Sequence, residues 1–279
     1  MYQSEYKLGQ VGLYVEDLMA SREFYCTILG LQILKDFNGE IILGVDGEAL
    51  VHLIEYEEKT HPLIHYRGLY HMAFLLPSRQ DLSNIFKRLI DLKIPITGTS
   101  DHGYSQAIYF NDNEGNGIEI YYDKPFAEWD IRNDGRIIGV KEQLDIYDLY
   151  QGGVVIENYQ LPSLTMMGHV HLSVSKSKES SLAYQHILGM TEKFGIDSAS
   201  WIASGDYHHH LAFNEWQNYC STVNKQIALA YFTLVISDEE LLSKAAGISK
   251  TLGSKVEFQN SSQILLKDVE GIRVRLIIE

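Results

Sequence analysis

Self-similarity constrains this chain more than any local pattern does. Residues 11–30 and 170–189 match at a constant spacing of 159 (170 − 11): Val11 with Val170, Leu13 with Leu172, Val15 with Val174, Ser21 with Ser180, Tyr25 with Tyr184, Ile28 with Ile187, Leu29 with Leu188 and Gly30 with Gly189. One fixed spacing across so many positions marks a repeated supersecondary unit, and such a unit buries its apolar face against other copies. Each stretch opens with the alternation of a strand and passes through a polar turn, EDLMAS in one and SKSKES in the other. It then continues as an amphipathic helix around Phe24–Leu29 or Tyr184–Leu188. Both helices stop at a glycine, the residue best suited to the left-handed position beyond a helix end.

A weaker repeat lies inside each half. GLYHMAFLLPS at 68–78 is similar to ALAYFTLVISD at 228–238, and NDNEGNGIEIYYD is similar to KDVEGIRVRLIIE at the C-terminal end. Four modules follow, at about 5–56, 66–123, 165–218 and 227–279, each with a strand, a helix and further strands. The N-terminal half, 1–123, holds modules 1 and 2, and 165–279 holds modules 3 and 4. For 279 residues this agrees with the roughly 100–200 residues of a typical domain. Residues 124–164 are polar, with Gly135, Gly152, Gly153 and Pro162, and read as a solvated linker in which KEQLDIYDLY forms a short helix.

The four βαβββ modules, with the strand patterns QVGLYVEDLMASREFYCTILG, YHMAFLL, GNGIEIYYD, GHVHLSV and DYHHHLAFNEW, resemble the vicinal oxygen chelate superfamily, which includes glyoxalases, bleomycin resistance proteins and extradiol dioxygenases. Within it the likeness is to two-domain bacterial proteins of the catechol 2,3-dioxygenase type. The resemblance implies an α+β fold of two curved sheets. Two pairings are open, modules 1 with 2 and 3 with 4, or 1 with 4 and 2 with 3.

Side-chain alternation selects between them. In module 3, Val170, Leu172 and Val174 form the apolar set, so His169 and His171 share the concave face. In module 2, Met72, Phe74 and Leu76 pack against the helix, leaving His71, Ala73 and Leu75 inside; Ile118 and Ile120 likewise leave Glu119 and Tyr121 inside. Two imidazoles and a carboxylate suit a divalent transition metal and leave positions open for substrate and oxygen on Fe(II). The resemblance implies the same ligands, His71, Glu119 (Gly115 plus four) and His169. Fe(II) is the expected ion, with Mn, Zn or Ni as alternatives. In module 1 Gln10 aligns with His169, and in module 4 Tyr231 and Arg275 align with His71 and Glu119, which makes no convincing metal site. Pairing 2 with 3 unites the three ligands, so that pairing is expected.

The run His208–His209–His210 continues into a strand at Leu211. Counting four from Gly205 selects His209, on the concave face with Leu211 and Phe213, as a fourth ligand or an acid–base group; a one-residue slip would select His208 or His210. Tyr109, ten residues before Glu119, resembles the substrate-binding tyrosine of extradiol dioxygenases, and His102 lies just ahead of it. Phe213 and Tyr121 are the expected aromatic walls. His171 is left as lining, and His52, His61 and His65 have no matching partners. NDNEGNG lacks the length and terminal glutamate of a calcium loop and reads as a hairpin.

Composition narrows the partners. With 23 Lys and Arg against 37 Asp and Glu, the net charge of −14 disfavours nucleic acid and anionic membrane surfaces. No leader-like opening or membrane-length apolar run is visible, so a cytoplasmic protein is expected. Cys26 and Cys220 make no disulfide framework and read as packing residues. The leading expectation is an Fe(II)-dependent extradiol dioxygenase that takes a small catechol-like aromatic and dioxygen. A metal-dependent lyase or isomerase of the glyoxalase type comes second and a non-enzymatic binding protein third, with a homo-oligomer left open.

Overall fold

The computed structural model describes residues 4–56, 68–216, 229–237 and 239–278; His61, His65 and Cys220 lie outside them. Module 1 comprises β1 (Tyr6–Val15), α1 (Leu18–Glu23, continued by a π-helical turn Phe24–Ile28), β2 (Gln32–Phe37), β3 (Glu40–Val45) and β4 (Glu48–Glu55). Module 2 comprises β5 (Gly68–Leu76), α2 (Arg79–Asp91), β6 (Ile96–Asp101), β7 (Ser105–Asn111) and β8 (Gly117–Asp123). A short helix, α3 (Ile146–Gly152), lies in the connection. Module 3 follows with β9 (Met166–Ser173), α4 (Ser177–Leu188), β10 (Thr191–Ile196), β11 (Ala199–Ala203) and β12 (Leu211–Asn214). Module 4 contains β13 (Leu229–Ile236), α5 (Glu239–Thr251), β14 (Lys255–Gln259), β15 (Gln263–Lys267) and β16 (Arg273–Ile278).

In every module the first strand pairs in parallel with the fourth, and a meander extends the sheet outward. The first strands then pair antiparallel across modules, β1 with β13 and β5 with β9. The result is two eight-stranded sheets, ordered β14-β15-β16-β13-β1-β4-β3-β2 and β10-β11-β12-β9-β5-β8-β7-β6. Modules 1 and 4 therefore share one sheet and modules 2 and 3 the other. Gly189 caps α4 in the left-handed conformation, at φ 68°, as the repeat predicts.

The helix-facing parity is as read from the sequence. Val11, Leu13 and Val15, Met72, Phe74 and Leu76, Val170, Leu172 and Val174, and Phe232 and Leu234 all enter one buried cluster that spans both sheets. Half-buried Cys26 packs against it, and burial pushes its thiol up. Duplication left two matched polar bonds in that interior. Tyr25 Oη donates to Asp112 Oδ2 at 2.7 Å, tying module 1 to module 2, and Tyr184 Oη donates to Asp268 Oδ2 at 3.0 Å, tying module 3 to module 4. Each bond thereby joins the two sheets. The same hairpins reach across once more: Glu114 accepts the backbone N–H groups of Glu16 and Asp17, and Glu270 accepts that of Ser175. NDNEGNG is thus a hairpin that closes the sheet interface.

The connection 124–164 departs from a solvated linker. Trp129, Ile137, Leu144, Leu149, Tyr159 and Leu161 are buried, Asp101 bridges to Glu142, and the Leu161 N–H donates to the Gly30 carbonyl. Its apolar residues are irregularly spaced because each fills a separate groove, so no period announces them. Among the described residues no helix is long and apolar enough to cross a membrane.

Two outcomes test this interior. Tyr25→Phe leaves buried Asp112 short of a donor and should lower stability by about 1–3 kcal/mol, read as an earlier urea midpoint. Burial raises Asp268 from its ordinary 3.8 to about 6 despite its backbone and Tyr184 donors. The native state therefore holds a proton that the unfolded chain has released, and stability should fall as pH rises from about 3.8 to about 6, then level off. Asp268→Asn should flatten that part of the profile; an unchanged slope would remove Asp268 as its source.

Candidate metal centre

Strand register builds the centre. Ala73 on β5 lies opposite His169 of β9 on one side and Glu119 of β8 on the other, and His71 is two residues earlier on the same face. Ala73 presents only a methyl group, so the three longer side chains converge above it. His71 Nε2 lies 3.0 Å and His169 Nε2 3.1 Å from Glu119 Oε2, with the two nitrogens 3.4 Å apart. Exposures of 6%, 3% and 2% for His71, Glu119 and His169 place the group well away from bulk water. Among the described residues it is the one group of three or more His, Cys, Asp or Glu side chains whose ligand atoms all lie within 4.8 Å of one another.

The protonation states suit a cation. Burial works against the Glu119 charge, but His169 and His71 more than offset it and hold the carboxyl well below its usual range. Burial likewise pulls His169 down to about 4 although Glu119 opposes the shift. An ionised carboxylate beside a neutral imidazole is the form that coordinates metal. The spacings also fit adjacent ligands around a six-coordinate first-row ion, roughly 3 Å apart for bonds of roughly 2.1 Å. The donor set therefore fits a divalent transition ion.

A glycine makes room for the neighbouring tyrosine. A Cβ on Gly168 would fall 1.8 Å from Tyr121 Oη, so only glycine lets the Tyr121 ring stand 5.0 Å from that of His169. Tyr121 Oη in turn shares a 2.6 Å hydrogen bond with Tyr207 Oη.

Comparison with known proteins bears on this geometry. Residues 7–120 match the model of the Glyoxalase/Bleomycin resistance protein/Dioxygenase superfamily. A catechol-2,3-dioxygenase of Bacillus subtilis is 32% identical over 278 residues, covering 97% of each chain. The chain belongs to the glyoxalase/bleomycin resistance protein/dioxygenase superfamily. A biphenyl-2,3-diol 1,2-dioxygenase of Rhodococcus globerulus is 27% identical over 125 residues, 42% of this chain and 63% of the relative. Glyoxalase I from Zea mays superposes with a TM-score of 0.61 at 16% identity, covering 98% of this chain and 92% of that one. That last likeness concerns the fold.

Within this superfamily fold, the repeat locates the counterpart of each ligand. Parallel pairing sets Glu119 opposite Ala73, two residues beyond His71; it sets Ala212 opposite His171, two residues beyond His169. Ala212 therefore occupies the position equivalent to Glu119 and can ligate nothing. In the other sheet Thr233 pairs with Arg275 and Gly12 with His52, which gives Gln10, Tyr231, Arg275 and His52 at the corresponding positions.

The histidine run behaves differently from its alternation. Leu211 and Phe213 pack in the central cluster, Phe213 against Tyr184, so neither lines the concave face as expected. Regular strand begins only at Leu211, and parity does not carry back through the irregular residues before it. His209 nonetheless lies over the centre, its ring 4.2 Å from that of His169. His208 Nε2 donates to Asp123 Oδ1 at 2.9 Å, which leaves His208 Nδ1 to accept from His209 Nδ1 at 2.7 Å. The His209 Nε2 lone pair is then free of that chain. Burial, reinforced by the neighbouring histidines, holds His209 well below its usual range. His210 turns away, its Nε2 3.1 Å from Ser4 Oγ.

Tyr109 stands beside His71, with ring centroids 5.6 Å apart. His102 Nδ1 donates to the Val140 carbonyl at 3.0 Å, so its Nε2 accepts the Tyr109 hydroxyl proton at 2.7 Å. Burial, with Glu119 nearby, pushes Tyr109 well up and keeps it protonated. His171 accepts from Asn214 Nδ2 at 3.0 Å. The apolar wall comes from Tyr70, Trp201 and Trp216, whose rings lie 5.0, 6.0 and 5.4 Å from His171. Asp123 shares the alternation of Glu119 and Tyr121 and was available to sequence reasoning. Trp129, which meets His208 at 5.2 Å from the connection, carried no such signal.

Gly168→Ala should drive Tyr121 off His169 and weaken Zn²⁺ or Mn²⁺ binding by about 10–100-fold, the usual effect of disturbing groups that orient ligands. Gly247→Ala, with no neighbour near its added methyl, is the control and should leave metal affinity unchanged. Equal affinities in the two variants would show that Tyr121 does not position the centre.

Proposed function

We propose that this chain is a metal-dependent extradiol ring-cleaving dioxygenase acting on a catechol-like aromatic, with Fe(II) held by His71, Glu119 and His169. The observation that carries the reading is the lone carboxylate: two imidazoles and Glu119 converge while Ala212 stands at the repeat-equivalent position. A glyoxalase-type reaction calls for a further carboxylate as base, and that position offers none. The 32% identity to a catechol-2,3-dioxygenase over nearly the whole chain supports the same choice.

When bound, the ion would bring catecholate and dioxygen together and pass electron density between them. The protein's own groups would handle protons and orientation. His209, neutral and held by the His208–Asp123 chain, presents Nε2 to receive a substrate hydroxyl proton and return it later. Tyr109, protonated and with its proton directed at His102, is placed to accept a hydrogen bond from a substrate hydroxyl beside His71. Tyr70 and Trp216 would pack a flat apolar ring and exclude water.

Ferrous protein should consume one dioxygen per catechol, retain both oxygen atoms in the product and generate the absorbance of a ring-fission product. Glu119→Ala should abolish stoichiometric metal loading, whereas His209→Gln should keep the metal and lose about 10²–10⁴-fold in kcat. Oxygen uptake across several catechols, run beside methylglyoxal hemithioacetal, is the decisive measurement. Turnover of the hemithioacetal alone would move the protein to the glyoxalase class, and silence on both in metallated protein would make it a binding protein.

A further inference from the structure

The sheet built from modules 1 and 4 holds a second cup in which the ligand positions carry other chemistry. Gln10 Nε2 donates to Tyr231 Oη at 2.6 Å, His52 Nδ1 meets the same oxygen at 2.7 Å, and His52 Nε2 meets Glu40 Oε2 at 2.9 Å. Glu40 is thus engaged through His52. The Arg275 guanidinium lies 3.9 Å above the Tyr231 ring, hydrogen-bonds the Tyr231 side chain and pairs with no carboxylate among the described residues. A Cβ on Gly12 would fall 2.5 Å from the Tyr231 ring, so here too a glycine makes room for the tyrosine of the cup.

A cavity of about 560 Å³ opens beside this network and is lined by Gln10, Arg275 and Thr233. Thr233 is 2% exposed, and its Oγ1 is buried with no hydrogen-bond partner. A buried hydroxyl left unpaired is unfavourable, and one lining a cavity beside an oriented cation marks where a ligand oxygen would sit. An apolar part of the wall is formed by Leu8, Val235 and Ile277 from this sheet and Met166 and Met167 from β9. Asp46 and the exposed Lys7–Glu48 pair stand among the lining residues at the β3–β4 turn.

We infer that this second cup binds a small organic carboxylate with an apolar body, the carboxylate on Arg275 and Thr233 and the body against the Leu8, Val235 and Ile277 wall. A guanidinium has five N–H donors, so one held by the Tyr231 side chain keeps others for a carboxylate, and the volume falls within the usual range for small-molecule sites. The site is separate from the metal centre and does not depend on the reaction proposed for it.

Calorimetry and ligand-observed NMR on the full metal-loaded chain, with benzoate as probe and benzyl alcohol as its neutral counterpart, test the inference. Benzoate should bind saturably at one site per chain, and benzyl alcohol should not. Arg275→Gln should weaken benzoate at least tenfold and the near-isosteric Thr233→Val several-fold, while Glu119→Gln, which disables the metal centre, should leave benzoate affinity unchanged. Absence of saturable binding up to about 10 mM, a concentration that would detect even very weak sites, would overturn the proposal. So would affinity that survives both Arg275→Gln and Thr233→Val, or affinity lost in Glu119→Gln.

Discussion

Glu119 keeps its charge where water scarcely reaches, and a buried carboxylate is tolerated only when its oxygens are paired. The two imidazoles that pair it come from β5 and β9, almost a hundred residues apart in sequence, and the antiparallel register of those strands brings them together. The surroundings answer the same demand. Ala73 leaves space for the converging side chains, Gly168 admits Tyr121 against His169, and the histidine run closes over the top. A divalent ion would satisfy all three donors at once, so coordination and the stability of the interior are the same problem here.

Much of this was legible in the sequence because regular strands have a period of two. Met72 against His71, Ile118 against Glu119 and Val170 against His169 divide the two faces without ambiguity, and the 159-residue repeat supplied the module boundaries. Legibility ended where regular structure ended. Phe213 was read on the wrong face because the alternation was extended into residues 207–210, which are not strand. The connection 124–164 was read as solvated because Trp129, Ile137 and Leu149 follow no period, yet each is buried. His52 was read as unmatched although strand register sets it at the position equivalent to Glu119, and its partners Tyr231 and Glu40 come from different strands.

The duplication explains why two cups of one architecture differ in chemistry. The interior bonds Tyr25–Asp112 and Tyr184–Asp268 persist in both halves, since losing either leaves a buried carboxylate short of a donor. The concave positions are under no such structural demand, and there the copies diverge to His169, His71 and Glu119 on one side and Gln10, Tyr231 and Arg275 on the other. Core positions preserve the scaffold while the cups vary independently.

The pairing of modules is nested, with 2 and 3 inside and 1 and 4 outside, and this fixes an order in time during synthesis. As the chain emerges, module 1 has no sheet partner until the last module has been made, whereas the sheet carrying His71 and His169 can close as soon as module 3 is complete. Contacts that close over long sequence separations form slowly and leave strand edges exposed meanwhile. A chain whose ends were rejoined and reopened between modules 1 and 2 would make both sheets from consecutive modules and shorten that interval.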